Sequence, residues 1–63
     1  MPIMQIFLME GRSQEQKEKL IEALTLAAMT SIDAPQETVR VLLTEVPKAH
    51  FGIGGKSAEA LGR

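Results

Sequence analysis

Three residues of this chain are suited to moving a proton beside a carboxylate: Pro2, Arg12 and Arg40. Pro2 directly follows the initiator methionine, and a small second residue is the usual context for removal of Met1. The freed group would be a secondary amine with a reference pKa of about 8 or a little above, and burial beside cationic groups disfavours its protonated form. An amine of that kind is a general base near neutral pH. The alternative is that Pro2 merely starts an edge strand. Arg12 and Arg40 each offer a rigid fork that pairs with a carboxylate in bidentate fashion, so two of them beside a base point to an acidic substrate. Their alternative is surface charge that snorkels over apolar neighbours, and Arg63 is expected on a loose terminus.

Phe51, with Ile53, could supply an apolar wall that excludes water and lowers the pKa of the amine; ordinary interface packing fits those residues equally well. His50 has no carboxylate and nucleophile arranged around it in the sequence and reads as structural. Gly55-Lys56-Ser57 has the ending of a phosphate-binding loop, but His50 occupies the earlier glycine position and too few residues follow to form the helix. Glu10 and Glu45 read as solvated or capping groups.

The composition narrows the classes. A chain of 63 residues, 44% of them hydrophobic, makes one domain, residues 1–63, that leaves much apolar surface uncovered unless it self-associates. There is no cysteine and a single histidine, which excludes disulfide staples and leaves too few good ligands for a structural zinc site. A net charge of −1 and two phenylalanines as the only aromatic residues give neither a basic field nor a stacking platform for nucleic acid. No apolar run approaches the roughly 20 residues of a membrane span, and the amino terminus lacks a secretory layout, so the expected location is the cytoplasm.

The elements that must hold these residues are legible. Pro2 to Met9 places Met4, Ile6 and Leu8 on one face and Ile3, Phe7 and Met9 on the other, which predicts a strand buried on two sides. Ser13 followed three positions later by Gln16 is the layout of a capping box, and predicts a helix from about Gln14 to Ile32. Its apolar face is expected to be Leu20, Ile21, Leu24, Ala27, Ala28 and Ile32, with Glu15 and Lys19 as a surface pair. Asp33-Ala34-Pro35 reads as a turn, Val39 to Val46 as a second strand, and the glycine-rich tail as a hairpin or turn against a neighbour. Strand, helix and strand make an α/β fold, a single β-α-β unit whose strands run parallel.

That topology carries a consequence for the site. Pro2 and Arg40 begin parallel strands at one end, whereas Arg12 lies beyond the other end, on the order of 25–30 Å away at about 3.3 Å per residue. If both arginines serve one substrate, at least one comes from another subunit. Antiparallel pairing of two sheets would bring Arg12 of one copy near Pro2 of the next, so the active site would lie at an interface and a lone monomer would be inactive.

Read in order, Pro2-Ile3, Gln5-Ile6, Glu10-Gly11-Arg12-Ser13, Glu15-Gln16-Lys17, Asp33-Ala34-Pro35, Val39-Arg40-Val41 and Lys48 followed by His50-Phe51-Gly52-Ile53-Gly54-Gly55 closely resemble the 4-oxalocrotonate tautomerase family. The resemblance covers essentially the whole chain. It implies a β-α-β subunit with a short C-terminal hairpin, assembled as a homohexamer that is a trimer of dimers, and no metal or organic cofactor. Pro2 would shuttle a proton in an unsaturated 2-oxo dicarboxylate of the 2-hydroxymuconate type, within the catabolism of aromatic compounds. Arg40 from one neighbour would bind a carboxylate and polarise the 2-oxo group, and Arg12 from another would hold the distal carboxylate. Phe51 would line the pocket, with Met9 and Ile53 as further substrate contacts. Phe7 stands where the family leads one to expect a histidine, Met9 where leucine is common, and Pro47 is unusual.

Two rival readings keep the fold. Hydration or dehalogenation of a haloacrylate would want a carboxylate to activate water, but the expected place for one in the tail carries Ile53. A non-catalytic subunit would have no need of Pro2, Arg12 and Arg40 together.

Overall fold

A computed structural model describes all residues, Met1–Arg63. Strand β1 (Ile3–Met9) leads into helix α1 (Gln14–Ile32), followed by strand β2 (Arg40–Val46) and a hairpin of two short strands, β3 (Gly52–Ile53) and β4 (Lys56–Ser57). One-turn 3-10 segments at Gln36–Thr38 and Lys48–His50 precede β2 and β3. Each starts after a proline, Pro35 or Pro47, whose fixed φ presets the entry to the turn. No helix is long and apolar enough to cross a membrane.

The capping box forms as the sequence requires. The Ser13 hydroxyl accepts the Gln16 amide at 3.1 Å while the Gln16 side chain accepts the Ser13 amide at 3.1 Å, satisfying two otherwise orphaned donors. The helix stops at Asp33, which takes a left-handed conformation with φ 60° and turns the chain toward β2. β1 and β2 pair in parallel from Ile3↔Arg40 to Met9↔Val46, each one residue shorter than expected because Pro2 and Val39 lie just before the ladder.

The pleat divides the sheet into two unequal faces. Met4, Ile6, Leu8, Val41 and Leu43 are half-buried on the helix side. Within one subunit the other face is open: Ile3 and Phe7 are each 63% exposed and Leu42 is 52% exposed, so burial of that face of β1 has to come from another subunit. The helix differs from expectation as well. Leu20, Ile21, Leu24 and Ala28 turn inward together with Thr25 and Met29, but Ala27 and Ile32 are exposed, because the buried stripe runs through 17, 21, 24 and 28. Lys17 heads that stripe and donates to Glu45 at 3.1 Å; Glu45 is thus an ion-pair partner across the helix–sheet seam, not a free solvated group. Glu15 and Lys19 approach to 3.9 Å on the wet side.

Only two residues, Ala28 and Ala58, are buried, and the radius of gyration is 14.6 Å. A compact domain of this length has a radius near 11 Å. Its accessible surface of 4728 Å² likewise exceeds the about 4000 Å² expected for a folded monomer of this mass. The excess surface is what a partner would cover.

Candidate active site

Pro2 lies immediately before β1, half-buried, and its carbonyl accepts the Arg40 amide at 3.0 Å. That bond fixes the amino-terminal segment beside the first residue of β2. The Arg40 guanidinium folds back over the preceding 3-10 turn, where Nη1 donates to the Glu37 carbonyl at 2.7 Å and lies 3.4 Å from the Val39 carbonyl. The turn is closed by the Thr38 hydroxyl, which donates to the Pro35 carbonyl at 2.7 Å. Sequence reasoning found Arg40 but not these supports; the signal was the Pro-x-x-Thr spacing of Pro35 and Thr38, which places a hydroxyl under a helical carbonyl.

The opposite end of the sheet gathers a second group. Met9 pairs with Val46, and the Glu10 amide extends the ladder by donating to the Val46 carbonyl at 3.1 Å. The Glu10 carboxylate accepts the Lys48 amide at 3.2 Å, so it caps the 3-10 turn that leads to Phe51. Gly11, at φ 123°, supplies the backbone conformation that swings the chain from strand to helix, and Arg12 projects from this turn, exposed and without a hydrogen-bond partner.

Phe51 and Ile53 are half-buried on the arm that follows. Gly54 and Gly55, at φ 59° and 91°, make a two-residue hairpin turn that few other residues would allow. The arm is locked by Ala58, fully buried, whose amide donates to the Phe51 carbonyl at 2.7 Å. The terminus is held rather than loose: Arg63 donates to the Ala58 carbonyl at 2.9 Å and Gly62, at φ 74°, to Glu59 at 3.1 Å, the paired bonds of a Schellman motif. His50 is exposed in the turn before Phe51.

One subunit therefore brings Pro2 and Arg40 together and keeps Arg12 and Met9 apart from them. Six residue steps separate the Ile3↔Arg40 and Met9↔Val46 pairs, about 20 Å at 3.3 Å each. The two concavities of the subunit lie along the helix, lined by Glu22, Thr25, Leu26, Met29 and Gln36 in one case and by Gln14, Lys17, Ile21, Leu43 and Glu45 in the other. Neither contains Pro2, Arg12, Arg40 or Phe51. Pro2 and Arg40 thus lie at one end of the open sheet, and Met9 and Arg12 at the other.

Comparison with known proteins bears on the family and the fold. Residues 2–61 match the family model described as Tautomerase enzyme. The chain is 60% identical over 63 residues, all of both chains, to a 2-hydroxymuconate tautomerase of Stutzerimonas stutzeri. It superposes with a TM-score of 0.93 and 55% identity on a 4-oxalocrotonate tautomerase isozyme from Methylibium petroleiphilum, covering 98% of this chain and all of the other. A heterohexamer 4-oxalocrotonate tautomerase from Chloroflexus aurantiacus J-10-fl gives a TM-score of 0.90 at 43% identity, covering 97% of this chain and 98% of that one. The β-α-β unit with its terminal hairpin is thus the tautomerase fold, and the chain belongs to the tautomerase enzyme family.

Proposed function

We propose that the chain is a subunit of a 2-hydroxymuconate tautomerase that acts in the catabolism of aromatic compounds, with the amine of Pro2 as proton shuttle. The observation that carries the reading is the end-to-end likeness to 2-hydroxymuconate tautomerases; the Pro2 carbonyl, which accepts the Arg40 amide at 3.0 Å, holds the amino-terminal segment against the first residue of β2. Met1 is 77% exposed, which leaves the Met1-Pro2 bond open to removal of the methionine.

In this reading the unprotonated amine takes the proton of the 2-hydroxyl, electrons shift along the conjugated chain, and the amine returns the proton to the distal carbon to give the conjugated ketone. Negative charge on the 2-oxygen is stabilised by Arg40 of a neighbouring subunit, whose charge is already in place and needs no reorganisation. Arg12 of another neighbour holds the distal carboxylate, and Phe51, Ile53 and Met9 keep the pocket dry. The assembly is a homohexamer. It is supported by the open sheet face and by likeness to a protein described as a heterohexamer.

Intact-mass measurement of the amino terminus, paired with ultraviolet assay of 2-hydroxymuconate on the wild type and Pro2→Ala, tests the proposal. Loss of Met1 with turnover that falls by roughly 10²-fold or more in the variant is the expected result. Wild-type turnover in Pro2→Ala refutes the assignment of the base.

A further inference from the structure

The proposed clamp on the substrate depends on where the Arg40 fork points, and main-chain groups settle that. An arginine side chain has many rotamers, and that freedom must be lost before its planar edge can meet a carboxylate. Here Nη1 is committed to the Glu37 carbonyl at 2.7 Å and lies 3.4 Å from the Val39 carbonyl. A guanidinium has five N–H donors, so the Nε–H and the Nη2–H beside it remain on the side edge. That edge is one of the two that can grip a carboxylate through paired bonds. The carbonyl that holds Nη1 belongs to the three-residue turn Gln36–Thr38, and the Thr38 hydroxyl closes that turn on Pro35 at 2.7 Å. The Thr38 amide also donates to the Pro35 carbonyl, at 3.0 Å, so one carbonyl receives both bonds that define the turn.

We propose that Thr38 is a positioning residue: by closing the 3-10 turn on Pro35 it holds the Glu37 carbonyl against Arg40 Nη1 and so presents the Nε/Nη2 edge of Arg40 to the substrate's oxygens. This rests on the reading of Arg40 as a substrate-binding group. Thr38 is half-buried and touches no reacting atom in this scheme. Its effect passes entirely through Arg40.

The test is a double-mutant cycle on the assembled protein with 2-hydroxymuconate as substrate. Thr38→Val keeps the shape and removes the hydroxyl; Thr38→Ser keeps the hydroxyl. A typical intramolecular hydrogen bond contributes about 1 kcal/mol, which corresponds to a fivefold change in rate. Thr38→Val is therefore expected to lower kcat/KM about fivefold, Thr38→Ser to stay within twofold of wild type, and Thr38→Val to have no further effect in an Arg40→Ala background. The same comparison with Thr38→Ala covers the case in which valine disturbs assembly. An undiminished Thr38→Val beside an impaired Arg40→Ala overturns the positioning role while leaving the function of Arg40 intact. An equal loss from Thr38→Val with and without Arg40 assigns Thr38 to general stability and also overturns the proposal. Unaltered kinetics in Arg40→Ala removes the role of Arg40 itself.

Discussion

Replacing Leu42 by aspartate tests whether the bare face of the sheet is where subunits meet. Leu42 lies opposite Gln5, between the Ile3 and Phe7 positions on that face, and is 52% exposed in the isolated subunit. Full burial of a leucine side chain is worth about 1.5–3 kcal/mol, so covering the remaining half contributes about 1 kcal/mol. A carboxylate there forfeits that gain and adds a desolvation cost of roughly 1–3 kcal/mol even when partly compensated. A combined loss near 2.8 kcal/mol weakens association about a hundredfold. Sedimentation velocity over a range of concentrations, with turnover measured on the same samples, should show wild type assembled at micromolar concentration. Leu42→Asp should sediment as a smaller species and lose activity in parallel, and Leu42→Ala should shift the midpoint by only about fivefold, since it loses the packing without adding the charge. Because only Ala28 and Ala58 are buried within one subunit, the dissociated variant should also unfold at lower temperature. A Leu42→Asp protein that stays assembled and fully active would refute the reasoning that this face is an interface.

Arg12→Ala should raise KM for 2-hydroxymuconate by roughly tenfold or more, while a substrate lacking the distal carboxylate should respond little, since the loss is that of one charge-assisted pair; equal effects on both substrates would separate Arg12 from distal recognition. Ser13→Ala deletes one half of the capping box and should cost about 1 kcal/mol, a fall in Tm of about 4–8 °C by calorimetry, with no change in KM. An unshifted Tm would mean that helix initiation is held by the sheet rather than by the cap.

Much of the fold was legible because local chemistry set it. Ser13 and Gln16 fixed the start of the helix, Asp33 and Pro35 its end, and Gly54-Gly55 the hairpin, since each of these residues satisfies a backbone need that few others can meet. Assignment of the buried helix stripe was less reliable. Ala23, Leu26 and Ala27 are apolar yet face outward, so a period of 3.6 residues admits more than one stripe, and only the sheet decides which turns inward. The Lys17–Glu45 pair joins residues 28 apart and has no local signature. Of the candidate site, the separation of Arg12 from Pro2 and Arg40 within one subunit followed from strand length. The docking of Arg40 on the Glu37 carbonyl did not, because it depends on the main-chain path of one short turn. The ordered end at Arg63 was hidden for a similar reason: its hold comes from main-chain bonds around Gly62.

The central claim is that Pro2 carries a free secondary amine which is uncharged at working pH. The direct measurement is an NMR titration of the nitrogen-15-labelled Pro2 amine in the assembled protein, with removal of Met1 verified by mass and kcat/KM measured across the same pH range. A base acts only when unprotonated, so activity should be full above the pKa of the amine and fall as pH drops through it. The predicted result is a single transition at or below neutrality, under the about 8 of an ordinary terminal amine, that coincides with the acid limb of the rate profile. A nitrogen that stays protonated well above neutrality while turnover is maximal, or a fully active sample that retains Met1, would contradict it.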